Sequence, residues 1–156
     1  RSSDLLAASL LDSLVDRTGV DPAQIEDVIM GCVMQAGEQS NNVARNAVMA
    51  SKLPESVPAT SVDRQCGSSQ QALHFAAQAV MAGSMDIVIA AGVEGMTRVP
   101  MGLPATLAAK NGFGSQAVPP QPLDWPHRSP VHDGTQLPPP SQEVTLASSL
   151  APLNVV

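Results

Sequence analysis

Cys66 is the residue of this chain best placed by its neighbours to do chemistry. It follows a short β-like run, residues 59–65, and precedes an Ala-rich helical run, residues 67–82. Ligands gather at such strand-to-helix junctions of open α/β sheets, because the amides of the first helical turn point outward. The positive end of the helix dipole stabilises a thiolate, and the same amides could hold the oxyanion of a carbonyl under attack. Position alone leaves two interpretations open, a nucleophilic cysteine and a small core residue.

Three other side chains could take part in such chemistry, and each has a simpler interpretation. Cys32 lies within an apolar, β-branched run and is expected to fill space in the core. His74 could activate the thiol, but it lies eight residues along the helix from Cys66. That is roughly 12 Å at about 1.5 Å per residue, so His74 is expected to be a solvated residue of the helix face. Glu94 follows another apolar run and could be a base, yet a loop carboxylate held by backbone amides is the simpler expectation.

The elements that must position Cys66 follow from the apolar pattern. Residues 28–33 and 85–92 are short, continuous apolar runs, which are typical of strands buried on both faces. With residues 59–65 and the helix after them, they predict a βαβ unit and an α/β fold. The spacing on that helix predicts one buried face, made by Ala72, Phe75, Ala76 and Ala79, and one polar stripe, made by Gln71, His74 and Gln78.

Three further helices are predicted before residue 54. The first is capped by residues 2–4, carries leucines at positions 6, 10 and 14, and ends with Gly19 as its C′ residue. The second is short and starts at Asp21-Pro22, since Asp is a good N-cap and Pro is preset for the first helical position. The third is capped by Asn41 or Asn42 and runs to about Lys52.

Composition excludes several classes of partner and site. The 156 residues carry 14 acidic and 8 basic side chains with no basic cluster, so nucleic acid is not an expected partner. Two cysteines without a CxxC or a His/Cys spacing suited to zinc predict neither a disulfide framework nor a metal site, and favour the reducing cytoplasm. The most apolar window, residues 72–93, contains polar and charged side chains and is not expected to span a membrane.

The last third of the chain differs from the rest. Positions 104–156 hold ten of the 14 prolines, and they show no apolar periodicity apart from a possible turn at residues 110–112. We therefore expect residues 1–103 to form the folded domain and residues 104–156 to be a Pro-rich tail that is irregular, disordered or not native to the fold. A frameshifted or prematurely ended reading frame beyond about Gly114 would produce such a tail.

Linked motifs along residues 1–102 resemble the N-terminal half of a thiolase. In chain order they are GCV at 31–33, QAG at 35–37, NVAR at 42–45, PATSV at 58–62, CGS at 66–68 and GVEGMT at 92–97. Thiolases are acyl-CoA acyltransferases that form or cleave 3-ketoacyl-CoA, and the resemblance is close to bacterial degradative members, including the steroid side-chain type. It implies a thiolase-like mixed sheet layered with helices, of which this chain holds an incomplete N-terminal half.

The resemblance also implies a role for Cys66 as the acyl-accepting nucleophile. In the chemistry of the family, the thiolate attacks a thioester or 3-keto carbonyl and then passes the acyl group to CoA or to a second acyl-CoA. Acyl-CoA and CoA are thus the implied partners, with CoA as cosubstrate and no bound cofactor or metal. Thiolases are usually dimers or tetramers, so a cytoplasmic homo-oligomer is expected for the intact enzyme.

Departures from the family pattern limit this expectation. Ser69 stands where the family usually has Gly, and Gly95 where its GVESM run has Ser. The GHP, NEAF and CxGGG strings, which supply a His base, an Asn and a second Cys, do not occur in the sequence. The chain is therefore expected to be a truncated fragment without activity of its own. Two alternatives remain: a condensing enzyme of the ketoacyl synthase type, and a non-catalytic truncated product that aggregates or pairs with an intact subunit.

Overall fold

The computed structural model describes residues 2–113, which form a small parallel sheet with helices on both of its faces. β1 (Asp27–Gly31) is the central strand, and it pairs in parallel with β2 (Ala59–Val62) on one side and β3 (Val88–Gly92) on the other. The expected α/β class is confirmed. All three strands are parallel, so the antiparallel strand that a mixed sheet requires is not among residues 2–113.

This part of the chain forms four α-helices. They are α1 (Ser3–Thr18), α2 (Val43–Met49), α3 (Ser68–Met81) and α4 (Leu103–Lys110), with short 3₁₀ turns at Pro22–Gln24 and Gly37–Gln39. α1 and α2 cover one face of the sheet, where Leu11, Val48 and Met30 belong to the larger apolar core. α3 covers the other face, where Ala72 and Ala76 pack against Ile29 and Val88.

The register brings the carboxyl ends of the three strands together. Gly31 of β1 lies opposite Val62 of β2 on one side and opposite Gly92 of β3 on the other. The segments that leave the sheet after these residues therefore begin at one edge, which is where an α/β fold places its ligand site.

β1 and β2 end earlier than the strands that the sequence predicts. β1 ends at Gly31 rather than at residue 33, because the amides of Val33 and Met34 donate to the carboxylate of Glu94 (N to Oε2 2.8 and 3.4 Å). β2 ends at Val62 rather than at residue 65, since the chain turns there and Gln65 takes a left-handed φ of +49°.

The start of α1 is stabilised differently from the prediction. The N-cap residue Ser2 makes no side-chain capping bond. Instead, Oε1 of Glu38 accepts hydrogen bonds from the amide and the hydroxyl of Ser3, at 2.9 and 2.8 Å. A carboxylate from a distant loop therefore caps the helix, which no local pattern could reveal. The predicted C′ residue is confirmed: Gly19 has a φ of +69°, and its amide bonds the Val15 carbonyl.

Two predicted apolar faces are partly wrong. On α1 the leucines at positions 6 and 10 are more than half exposed, and the buried face is made by Ala7, Ala8, Leu11 and Val15. On α3 Phe75 is 43% exposed, whereas Gln71, assigned to the polar stripe, is buried and accepts a hydrogen bond from the guanidinium of Arg64. The buried stripe of α3 follows residues 68, 72 and 76, because only small side chains fit between this helix and the sheet.

α4 lies in a part of the chain without the apolar periodicity of a helix. Gly102, with a φ of +80°, precedes it, and Pro104 lies in its first turn, where a missing amide costs no helical hydrogen bond. No residue of α4 is buried, so an apolar face could not have marked it. The predicted Pro-rich tail lies outside the described residues from position 114 onward.

Gly31 and Gly92 allow α3 to approach the sheet closely. A Cβ built on Gly31 would lie 2.6 Å from Cα of Ser69, and one on Gly92 would lie 2.9 Å from Cβ of Ser69. Such separations are well inside van der Waals contact. The first turn of α3 can hold its place only while both positions lack a side chain.

Gly31→Ala should therefore destabilise the fold by about 3 kcal/mol, since the clash is with backbone atoms that cannot rotate away. Gly67→Ala is the matched control, because a Cβ there meets its nearest neighbour, the Arg64 carbonyl oxygen, at an ordinary 3.4 Å. That variant should cost less than about 1 kcal/mol. Urea unfolding followed by circular dichroism measures both, and equal costs would contradict this account of the contact.

Candidate functional site

A cleft of about 360 Å³ opens at the carboxyl ends of the strands. Residues that leave β1, β2 and β3 line it together with the start of α3 and three methionines: Gly31, Cys32, Val33, Met34, Gln65, Cys66, Ser68, Ser69, Gly92, Val93, Glu94, Met96 and Met101. Most of these side chains are apolar. Cys66 follows β2 and Glu94 follows β3, the strands on either side of β1, and the cleft brings Cys66 together with Gly92, Glu94 and Met96.

Cys66 is exposed at the tip of a tight turn between β2 and α3. The turn is closed by two backbone bonds, from the Gly67 amide to the Arg64 carbonyl (3.1 Å) and from the Ser68 amide to the Gln65 carbonyl (3.0 Å). Gln65, directly before the cysteine, is held in the left-handed region that non-glycine residues rarely adopt. The thiol is thus presented on a constrained backbone.

The start of α3 leaves amides free beside this turn. Gly67 is the N-cap residue, and its carbonyl accepts the bond from the Gln71 amide (2.8 Å) that opens the helix. The amides of Ser69 and Gln70, in the first turn, have no preceding helical carbonyl to bond. Such amides and the helix dipole favour an anion at this end of α3.

Cys32 has the properties of a core residue, as expected. Its side chain is 1% exposed, and Gln39 Nε2 lies 3.5 Å from its Sγ. Burial, followed by the negative charges of Glu94 and Asp63, raises the pKa of the thiol to about 11. Cys32 follows β1 rather than lying inside it, and it stays protonated at neutral pH.

Glu94 is a loop carboxylate held by amides, which confirms the simpler of its two interpretations. Besides the Val33 and Met34 amides, it accepts a hydrogen bond from Gln39 Nε2 at 2.7 Å. Its role in the described structure is to tie the segment after β3 to the segment after β1.

Gln39 is a residue that sequence reasoning missed. Its carboxamide is completely buried, with Oε1 accepting from the Gly95 amide (2.6 Å) and the Ser3 hydroxyl (3.0 Å). Nε2 donates to the Met34 carbonyl (2.8 Å) as well as to Glu94. The sequence around it, MQAGEQS, is typical of a solvated loop and carries no signal of burial.

Two other candidates lie away from the cleft. His74 is exposed on α3, as expected, and is not among the residues that line the cleft. The NVAR run instead braces β2: Asn42 Nδ2 donates to the Ala59 carbonyl (2.8 Å), and the Arg45 guanidinium donates to the Val57 and Glu55 carbonyls (2.7 and 2.8 Å). The NVAR run therefore contributes to the site only by holding β2 and the residues before it in place.

Both departures from the family pattern have neighbours that accommodate them. The Cβ of Ser69 lies where a side chain at Gly92 would otherwise be. A Cβ on Gly95 would lie 2.8 Å from Oγ of Ser3 and 3.2 Å from Oε1 of Gln39. The Ser3 hydroxyl therefore fills the space that a larger residue at position 95 would need.

Residues 2–113 contain neither a metal-binding cluster of side chains nor a membrane-spanning helix. No group of three or more His, Cys, Asp or Glu side chains in this part of the chain could hold a metal ion. No helix in the same range is both long and apolar enough to cross a bilayer.

Comparison with known proteins gives consistent relatives. Residues 1–119 match the family described as thiolase, N-terminal domain. The chain is 45% identical over 123 residues to the steroid 3-ketoacyl-CoA thiolase FadA6 of Mycobacterium tuberculosis, covering 79% of this chain and 30% of that protein. It is 53% identical over 102 residues to a 3-ketoacyl-CoA thiolase of Pseudoalteromonas translucida, covering 65% and 26%. The chain thus spans less than a third of the length of these relatives.

Cys32 should make stability fall at high pH. Its pKa is about 11 in the folded chain against an ordinary 9.0, so the unfolded chain loses the thiol proton first. The free energy of unfolding should therefore decrease as pH rises from 9 to 11, by at most about 1.4 kcal/mol per pH unit. Urea unfolding across this range checks it, with Cys32→Ala as control. A Cys32→Ala variant with the same pH slope as the parent chain would contradict the assignment.

Ser3 and Gly95 should be energetically coupled. Gly95→Ala and Ser3→Ala should each destabilise the chain by about 1 kcal/mol, the first by crowding and the second by lost hydrogen bonds. Removing the hydroxyl makes room for the new Cβ. The loss of unfolding free energy in the double variant should therefore be about 0.5–1 kcal/mol smaller than the sum of the losses in the two single variants. A double-mutant cycle from urea unfolding measures this term, and strict additivity would rule out the space-filling role.

Proposed function

Since its residues 1–119 match the thiolase N-terminal domain, the chain belongs to the thiolase family, and we propose that it carries the acyl-accepting half of a thiolase site. The observation that supports this most directly is the position of Cys66, exposed in the cleft at the constrained start of α3. Because the chain spans under a third of its relatives, the proposal concerns this half of the site, and further groups would come from elsewhere.

In the proposed step, the thiolate of Cys66 attacks the carbonyl carbon of an acyl-CoA or a 3-ketoacyl-CoA. A new S–C bond forms and the carbonyl oxygen becomes an oxyanion. When the carbonyl reforms, the bond to the CoA sulfur breaks and CoA leaves as a thiolate. In the cleavage direction, the bond to the α-carbon breaks instead, and the resulting acetyl-CoA carbanion takes up a proton. The acyl group stays on Cys66 until a second thiol or carbanion removes it.

The amides at the start of α3 support this chemistry electrostatically. Those of Ser69 and Gln70 lie in the first turn of α3, three and four residues after the cysteine, without a helical carbonyl to bond, and this end of a helix favours negative charge. They are suited to stabilising two negative charges. One is the charge of the thiolate, and the other is the oxyanion charge that develops as the carbonyl is attacked.

The apolar walls of the cleft favour a hydrocarbon acyl group. Met34, Met96 and Met101 are unbranched, polarisable side chains that adapt to irregular ligands, and Val33 and Val93 extend the same surface. The Mycobacterium tuberculosis relative carries the word steroid in its name, whereas an Escherichia coli relative at 49% identity is a 3-oxoadipyl-CoA/3-oxo-5,6-dehydrosuberyl-CoA thiolase. We propose an apolar acyl chain over a dicarboxylic one, since no cationic side chain lines the described cleft.

Residues 2–113 offer no base for proton transfer at this thiol. His74 is the one histidine in that range, and it is exposed on α3 away from the lining. Glu94 lines the cleft, but its carboxylate is committed to two backbone amides and to Gln39. We therefore propose that these residues accept an acyl group without supporting full turnover by themselves.

The relatives also bear on the alternatives and the partners. Those quoted above are thiolases by name, which supports thiolase chemistry with CoA over the ketoacyl synthase type. Both cysteines are free thiols, which suits a reducing cytoplasm. Exposed leucines on α1, at positions 5, 6 and 10, support association with further chain, including a second copy in a homo-oligomer.

Cys66 should react with iodoacetamide at least about tenfold faster than Cys32, because one thiol is exposed at a helix start and the other is buried and protonated. The rates are measured at neutral pH on the 156-residue chain by peptide mass spectrometry. Incubation with an acyl-CoA should acylate Cys66 alone, and a Cys66→Ala variant should remain unmodified.

Steady thiolysis of a 3-ketoacyl-CoA is not expected from residues 2–113, and an assay of 3-ketoacyl-CoA and CoA consumption by the 156-residue chain tests this separately. Equal, slow alkylation of both cysteines in the folded chain would contradict the nucleophile assignment. Acylation from acyl carrier protein but not from acyl-CoA would favour the ketoacyl synthase type instead.

A further inference from the structure

We propose that Ser68 is a positioning residue for Cys66, whose side-chain hydroxyl closes the turn that presents the thiol to the cleft. This inference rests on the proposed role of Cys66 as acyl acceptor. Ser68 acts through the backbone of the residues before the cysteine, and no contact between its hydroxyl and a substrate is required.

The hydroxyl of Ser68 is held at both of its hydrogen-bonding functions. The residue is 4% exposed, its Oγ donates to the Gln65 carbonyl at 2.6 Å, and it accepts from the Arg64 amide at 2.8 Å. The Ser68 amide donates to the same Gln65 carbonyl at 3.0 Å. One residue therefore makes three hydrogen bonds to the two residues that precede Cys66.

The direction of these bonds separates them from ordinary helix capping. A capping serine occupies the N-cap position, and its oxygen accepts from amides further along the helix. Here the N-cap position is Gly67, Ser68 is the first helical residue, and its hydroxyl bonds backward across the cysteine. The bonds fix the turn that carries Cys66 rather than the end of the helix.

The turn needs such a brace because its backbone is strained. Gln65 has a φ of +49°, a conformation that a residue with a Cβ maintains only when its surroundings impose it. Its amide is held by Oδ1 of Asp63 at 2.9 Å, and its carbonyl is held by Ser68. Without the hydroxyl the Arg64 amide loses its partner, and Gln65 can relax toward an ordinary φ that carries Cys66 away from the start of α3.

The test compares Ser68→Ala with a matched control, Ser51→Ala. Ser51 makes the same pair of bonds at the end of α2, donating to the Val48 carbonyl (2.8 Å) and accepting from the Leu53 amide (3.2 Å). Iodoacetamide rates at Cys66 and Cys32 and hydrogen exchange at the Arg64 amide are measured on the 156-residue chain. Ser68→Ala should slow alkylation of Cys66 about tenfold and speed exchange at Arg64, whereas Ser51→Ala should change either by less than about twofold. Ser68→Thr keeps the hydroxyl and should restore both.

Two results would overturn the proposal. One is a folded Ser68→Ala variant with the parent rate at Cys66 and a protected Arg64 amide, and the other is an equal loss in Ser51→Ala, which would indicate a general effect of stability. If Ser68→Ala does not fold, a folded Ser68→Thr variant decides, since parent-like rates support the proposal and slow alkylation contradicts it. Failure of the proposed function is recognised separately, as a parent chain in which Cys66 reacts no faster than Cys32; the exchange at Arg64 still reports on the turn.

Discussion

The lack of side chains at Gly31 and Gly92 lets the first turn of α3 lie directly on the ends of β1 and β3. This contact determines where Cys66 can be, since the cysteine is two residues before α3 and at the end of a turn with little freedom. The alanines that follow, Ala72 and Ala76, extend the same close approach along the sheet. Larger side chains at any of these positions would lift the helix, and the amides at its start would leave the cleft.

A second constraint is the buried carboxamide of Gln39, which joins segments distant in sequence. Through Ser3, Met34, Glu94 and Gly95 it connects the start of α1 with the loops that follow β1 and β3. All of its polar atoms are paired, so its burial carries no penalty from an unsatisfied donor or acceptor. The carboxylate of Glu94 lines a mostly apolar cleft, and each of its oxygens already accepts hydrogen bonds.

The parts of the fold that could be predicted are those in which local sequence and burial agree. The strand cores, α3 and the junction at Cys66 follow from continuous apolar runs and an Ala-rich repeat, and the linked motifs identified the family. The end of β1 could not be predicted, because it depends on a residue more than 60 positions later. The amides that follow β1 donate hydrogen bonds to the carboxylate of Glu94. Gln39 reads as a surface residue until its distant partners are known. The exposure of Phe75 could not be predicted, because its spacing fits the apolar face of α3. In the structure, smaller side chains of that helix make the contact with the sheet.

The central place of β1 also sets an order of events during synthesis. β1 ends at Gly31, whereas its two neighbours start at Ala59 and Val88, so both edges of β1 are translated well before either partner exists. About 60 further residues must be synthesised before β3 can pair with the second edge of β1. This takes several seconds at a synthesis rate of roughly 5–20 residues per second. During that interval the apolar residues Val28, Ile29 and Met30 lack the strands that pair with their backbone groups, and unpaired apolar segments of this kind can pair with the wrong chain. The strand that organises the finished sheet is therefore also a segment of the nascent chain that is open to misassembly.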